Sequence, residues 1–115
     1  MSEQKRIVVI GGSAAGPKAA ARARRMDEDA EITIIQKDPD LSMASCGYPY
    51  YVGGFFDDRN MLLSTPTGVP RDPKYYINAK DIVARTETEA TAIDRENKVV
   101  LCLNRKSGEM EQIRY

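Results

Sequence analysis

The sequence predicts an α/β fold in which a parallel sheet, built on a βαβ unit, stands beside an antiparallel β-meander. Three observations predict it. Arg6 to Ile10 is a β-branched run that passes straight into the glycine turn GGSAAG. An alanine-rich stretch and a second β-branched run, Ile32 to Ile35, follow at the spacing of a single parallel crossover, a connection that is right-handed in about 98% of cases. Residues 86–115 then alternate apolar and polar positions around two turns.

Taken in order, the continuous apolar character of Arg6 to Ile10 predicts a strand covered on both faces, central in its sheet. Ala14 to Met26 predicts a helix of about three turns. Pro17 falls in its first turn, where a missing N–H costs little, and Arg22, Arg24 and Arg25 approach its end, where positive charge complements the helix dipole. Asp27 to Glu31 connect to the second strand. Phe55 to Tyr76 is polar and carries Pro66, Pro70 and Pro73, which predicts a loop with short helical turns, placed to cover a crevice. Asp81 to Arg85 reads as a short strand. Thr91 to Asp94, Val99 to Leu103 and Glu111 to Tyr115, around turns at Arg95 to Asn97 and Lys106 to Gly108, make the meander. Residues 1–115 thus form part of one nucleotide-binding domain, with 86–115 as its meander.

Composition excludes several classes. Seventeen basic residues balance seventeen acidic ones, so no whole-chain field draws the protein to nucleic acid or to a membrane surface. The apolar run after MSEQKR is too short for a signal-peptide core or a spanning helix, which predicts a cytoplasmic chain. Cys46 and Cys102 match no zinc spacing and no disulfide framework, and both are expected as thiols. The chain contains no histidine, which removes imidazole acid–base work and His-containing metal sites from its repertoire.

The glycine turn follows the Rossmann-like dinucleotide fingerprint with one departure. Gly11 permits the sharp exit from the strand, Gly16 permits close helix packing, and the middle glycine position is Ser13. Gly12, Ala14 and Ala15 keep the backbone accessible, so that N–H groups at the helix start form an anion site for a pyrophosphate. The acid that usually meets the ribose hydroxyls, about twenty residues further on, is Gln36 here. Its amide retains hydrogen-bonding capacity without the charged acceptor.

Cys46 lies in SMASCGYPYYVGG, surrounded by Ser42, Ser45, Gly47 and Pro49. These turn formers offer little apolar bulk, and the loop follows the second strand, whose carboxyl end faces the nucleotide crevice of such a sheet. A nucleotide cradle and a thiol in such a loop point to redox chemistry. Tyr48, Tyr50 and Tyr51 beside it read as packing residues, with a phenol hydrogen-bonded to a substrate sulfur as the alternative. Cys102, within the apolar run Val99 to Leu103, reads as core, and Met26, Met43, Met61 and Met110 are scattered packing residues.

GGSAAG, the helix end ARARRMDEDAEITI, and the spacing of Ser42, Cys46, Gly47, Pro49 and Tyr50 resemble the amino terminus of the single-cysteine pyridine nucleotide-disulfide oxidoreductases. That group includes coenzyme A-disulfide reductases, NADH oxidases and peroxidases, and persulfide reductases. The resemblance implies FAD on the backbone of Gly11, Gly12, Ser13, Ala14, Ala15 and Gly16, with Gln36 and Lys37 near the adenosine ribose, Cys46 against the flavin ring and Pro49 as a further cofactor contact. It implies NAD(P)H as electron donor, and a coenzyme A-type substrate held by Lys18, Arg22, Arg25, Ser42 and Ser45. Of these, Arg25 and Ser42 match in residue type, while Lys18, Arg22 and Ser45 match in position. Residues 47 to 51 contain no second cysteine, so a dithiol at the four-residue spacing of the glutathione-reductase group is excluded.

The implied activity is FAD-dependent, NAD(P)H-driven reduction of a low-molecular-weight disulfide or persulfide through Cys46. The alternatives are an NADH oxidase or peroxidase working through a Cys46 sulfenic acid, and a noncatalytic nucleotide-binding or assembly subunit. The first strand is left with an open edge by the recognisable parallel partners. By the resemblance, its neighbour is a strand expected after Tyr115, followed by nicotinamide and dimerisation domains. The chain is therefore expected to be a fragment, a cleavage product or one product of a split gene. A companion polypeptide or carboxy-terminal segment would complete the sheet, and the full enzyme is expected to be a homodimer.

Overall fold

The computed structural model describes residues 4–43, 45–65 and 68–115. Strand β1 (Arg6–Ile10), helix α1 (Ala15–Met26) and strand β2 (Glu31–Ile35) form the βαβ unit. A 3-10 turn at Ser45–Gly47 runs into the short helix α2 (Tyr48–Val52), and a second such turn spans Arg59–Leu62. Helix α3 (Pro73–Lys80) then leads to strand β3 (Val83–Arg85), followed by the meander strands β4 (Thr88–Asp94), β5 (Val99–Asn104) and β6 (Met110–Arg114).

Two three-stranded sheets result, one parallel in the order β1-β2-β3 and one antiparallel in the order β4-β5-β6. Ile7 pairs with Ile32 and Ile10 with Ile35 across β1 and β2, while Thr33 to Ile35 pair with Val83 to Arg85 on the other side. The central, covered strand among the described residues is therefore β2, while β1 lies at the edge of the sheet with one side open, as the placement of its recognisable parallel partners predicted. β1 pairs along one edge only and Ile10 is 50% exposed, whereas Ile32 to Ile35 are buried to the last residue. β2 gains its cover because its side chains alternate between two faces. Ile32 and Ile34 join Ala20 of α1, Ala30, Leu41, Tyr76 and Ile82 on one side. Ile35 meets Val100 and Cys102 of the meander on the other. Each such isoleucine is worth roughly 1.5–3 kcal/mol of burial, which makes β2 the seam of the fold.

Local chemistry fixes the ends of the elements. Asp72 accepts from the Tyr75 N–H and caps α3, Pro73 follows it in the first turn, and Asp81 closes the helix in the left-handed region at φ 53°. Arg24 does more than face the helix dipole. Its guanidinium donates to the carbonyls of Asp27 and Glu28 after α1 and to those of Lys80 and Asp81 at the end of α3, tying the two helix ends together. The segment expected as loop with short turns contains a true helix in α3, and Tyr76 within it is core, at 2% exposure. Pro66 lies outside the described residues. The meander matches its expected strands and turns, and is joined to the parallel sheet by an ion pair between Arg85 of β3 and Glu111 of β6. No helix among the described residues is long and apolar enough to cross a membrane.

Candidate active site

The site is built where β1 ends. Gly11 adopts φ +106° and donates its N–H to the Ile35 carbonyl at 2.8 Å, so the chain turns sharply while still paired to β2. A Cβ at Gly16 would lie 1.7 Å from the Gly11 carbonyl oxygen, which allows only glycine there and brings α1 directly over the turn. A Cβ at Gly12 would fall 2.7 Å from Leu41 Cδ2 and 3.0 Å from Gln36 Cβ. Helix α1 starts at Ala15 with no side-chain cap and no acidic residue in its first turn. Its first N–H groups have no acceptor within the helix, and Ser13, Ala14 and Ala15 are exposed around them. A backbone cradle that excludes side chains and presents uncapped N–H groups fits the pyrophosphate of a dinucleotide such as FAD.

Gln36 supports this turn from the end of β2. Only 7% exposed, it accepts the Gly12 N–H on Oε1 at 3.0 Å and donates from Nε2 to the Asp40 carbonyl at 2.9 Å. A carboxylate could make the first bond but has no proton for the second. Lys37 is exposed, and its carbonyl accepts from Arg105. A cavity of about 180 Å³, lined by Ile10, Gly11, Gln36, Lys37 and Ala90 among others, opens beside the turn.

The loop beyond β2 returns to the same place. Ser42, in the left-handed region at φ 55°, donates its N–H to the Gly12 carbonyl at 2.7 Å, and its buried hydroxyl is hydrogen-bonded to the Tyr76 hydroxyl. Burial raises the Tyr76 pKa above its ordinary value, against the opposing pull of the Ser42 bond and the Arg71 charge. An ion pair of 2.8 Å between Arg59 and Asp40 draws the second 3-10 turn towards this loop. Cys46 then sits in the turn Ser45–Gly47 as an exposed free thiol, while Cys102 is fully buried. The expectation for the Ser45 hydroxyl lies outside what the structure describes. Gly47 packs close under Leu62, whose Cδ2 would have to shift to admit a Cβ, 2.6 Å away. Pro49 enters the first turn of α2. Tyr50 packs edge-on against Phe55 and Tyr51 packs against Phe56, with the tyrosines largely open to solvent.

Glycine turn and cysteine loop are thus brought together through Gly12, Gln36, Asp40 and Ser42. Lys18, Arg22 and Arg25 are exposed along α1, and none of them enters an ion pair among the described residues, which leaves their cations available to a ligand. No group of three potential metal ligands occurs among the described residues. Tyr76 and Asp40 escaped the sequence reading. Asp40 contributes a backbone carbonyl, which leaves no residue-type signature, and Tyr76 stood at the end of a segment read as a loop with short helical turns.

Residues 5–115 match the family model for pyridine nucleotide-disulphide oxidoreductases. The chain belongs to that family. It is 36% identical over 111 residues to the coenzyme A disulfide reductase of Staphylococcus haemolyticus, covering 96% of this chain and 24% of that one. The coenzyme A disulfide reductase of Staphylococcus aureus is likewise 36% identical, over 110 residues. Among solved structures, an NAD-dependent persulfide reductase from A. fulgidus superposes with a TM-score of 0.91 at 44% identity, over 96% of this chain and 20% of that chain. The reduced Bacillus anthracis CoADR-RHD superposes with a TM-score of 0.87 at 31% identity, over 99% of this chain and 19% of its own. This oxidoreductase chain therefore spans about a quarter of the length of the curated relatives it matches.

Proposed function

We propose that this chain is the FAD-binding, cysteine-bearing part of an NAD(P)H-dependent reductase of low-molecular-weight disulfides or persulfides, with coenzyme A disulfide as the model substrate. The observation that carries the reading is the attachment of the cysteine loop to the nucleotide cradle. Ser42, four positions before the exposed Cys46, donates directly to the carbonyl of Gly12. The names of the relatives, a coenzyme A disulfide reductase and a persulfide reductase, support the same class.

In this reading Gly11 to Gly16 hold the pyrophosphate through backbone N–H groups, and Gln36 and Lys37 flank the ribose. The bound flavin supplies two-electron transfer from the nicotinamide to sulfur. The Cys46 thiolate attacks one sulfur of the substrate disulfide, the S–S bond breaks, and the departing thiolate takes a proton from water. FAD held in this cradle would supply the two electrons that return the mixed disulfide on Cys46 to a Cys46 thiolate and a second released thiol, whose proton comes from water. Exposed Lys18, Arg22 and Arg25, with Ser42 and Ser45 near the thiol in sequence, would receive the phosphates and polar groups of a coenzyme A moiety. A further segment or companion polypeptide pairing with the open edge of β1 would complete the sheet, in an enzyme that works as a homodimer.

The test is NAD(P)H consumption by the full-length flavin-loaded protein with coenzyme A disulfide, a persulfide or hydrogen peroxide as acceptor. Turnover with the sulfur compounds, abolished by Cys46→Ser with flavin retained, supports the reading. Turnover with peroxide and none with either sulfur acceptor would replace it with a sulfenic acid peroxidase. No turnover with any acceptor would leave a nucleotide-binding subunit.

A further inference from the structure

Tyr76 belongs to α3, far in sequence from both the glycine turn and Cys46, yet it reaches the loop that joins them. Its ring is core, packed with Ile32, Ile34, Leu41 and Ile82, so α3 holds it in place on the same side as α1. Its hydroxyl bonds to Ser42 Oγ, a contact buried on both partners. Ser42 is the residue at which the loop makes its unusual turn, at φ 55°, and at which it donates to Gly12. A non-glycine residue in the left-handed region is held there by its surroundings rather than by its own preference. Here the backbone bond to Gly12 and the hydroxyl bond to Tyr76 are the surroundings. Leu41, one position earlier, fills the space over Gly12, so the chain cannot slide without disturbing the cradle.

We infer that Tyr76 is a positioning residue for the redox loop: its hydroxyl fixes Ser42, and through Ser42 the segment that presents Cys46 to the nucleotide cradle. The role of Cys46 rests on the function proposed above, whereas the mechanical coupling of Tyr76 to residues 42–47 does not. A second consequence concerns Ser42. Its hydroxyl is buried against Tyr76, so a substrate that reaches it meets a group already holding one hydrogen bond and oriented by it.

The experiment uses the full-length, flavin-loaded protein and compares Tyr76→Phe, Ser42→Gly and the double variant. Tyr76→Phe keeps the ring and its packing, and Ser42→Gly removes the hydroxyl while suiting the left-handed backbone. Amide hydrogen exchange in a peptide covering residues 41–47 is expected to quicken by about tenfold in each single variant, with exchange in β2 and β5 unchanged. The double variant should be no faster than the faster single, because both remove the same bond. In steady state, kcat for disulfide reduction should fall about fivefold with KM for the electron donor unaltered. Exchange at wild-type rate in Tyr76→Phe, or additive effects in the double variant, would overturn the inference, as would general loosening that includes β2. If Cys46→Ser keeps full activity, the redox reading fails while the exchange result still decides the role of Tyr76.

Discussion

Gly16 stands so close to Gly11 that a methyl group on its Cα would lie 1.7 Å from the Gly11 carbonyl oxygen. The obstacle is backbone, at the point where β1 passes into α1, and it cannot swing aside as a side chain could. Gly16→Ala is therefore expected to cost about 1–3 kcal/mol, as overpacking generally does, and to push α1 away from the turn. Denaturant unfolding should register the loss, and flavin content after purification should fall with it. A Gly16→Ala protein of wild-type stability and flavin content would show that the turn tolerates a different approach of strand and helix.

Gln36 gives a prediction of opposite character, because the family position usually holds an acid. Gln36→Glu retains an acceptor for the Gly12 N–H but loses the Nε2 donor that satisfies the Asp40 carbonyl, and it sets a carboxylate beside that carbonyl in a site 7% exposed. The lost bond is worth about 1 kcal/mol. Thermal and denaturant unfolding should show a loss of at least that size in the flavin-free protein. A gain in flavin affinity in the same variant would assign the ribose contact to position 36, separating its role towards the ligand from its role in the fold.

Gly47 meets a softer neighbour. Its added Cβ would lie 2.6 Å from Leu62 Cδ2, the end of a side chain that can rotate. Gly47→Ala is expected to cost about 1 kcal/mol, at the low end for overpacking. Pairing it with Leu62→Val should recover part of the loss, and the deviation from additivity in a double-mutant cycle measures the contact. Strict additivity would mean that the 3-10 turn, not Leu62, absorbs the strain.

These positions explain how much of the site could be read in the sequence. Gly11 and Gly16 were legible as the residues of a sharp strand-to-helix turn because type and spacing dictate it, and Cys46 was legible as an exposed thiol in a loop of turn formers. The βαβ unit and the meander were legible through periodicity. What holds the two motifs together was not. The links run through the Asp40 and Gly12 carbonyls and the Ser42 N–H, groups that every residue type carries. The open edge of β1 was legible from the placement of its parallel partners; that β2 is packed on both faces was not, because it depends on which elements fold back over Ile32 to Ile35.

The last prediction concerns alkaline stability, and it comes from buried acids that must lose protons on unfolding. Cys102 is fully buried; that burial raises its pKa above the ordinary 9.0, with Arg85 opposing and Glu111 adding to the shift. Tyr76 is likewise raised from 10.0, chiefly by burial. For each group the unfolded chain releases its proton before the folded one does, so above pH 9.0 the folded state binds more protons and stability falls as pH rises. Below that pH the contribution of both groups is complete and flat. Each group steepens the decline by up to ~1.4 kcal/mol per pH unit while it is charged in the unfolded chain and neutral in the folded one. Urea unfolding between pH 8 and pH 11 should show stability falling first as Cys102 comes into play and more steeply as Tyr76 joins. Cys102→Ala should remove the earlier part of the slope and Tyr76→Phe the later part, each at the cost of lower stability at neutral pH. A wild-type slope in both variants would mean that other groups govern the alkaline limb.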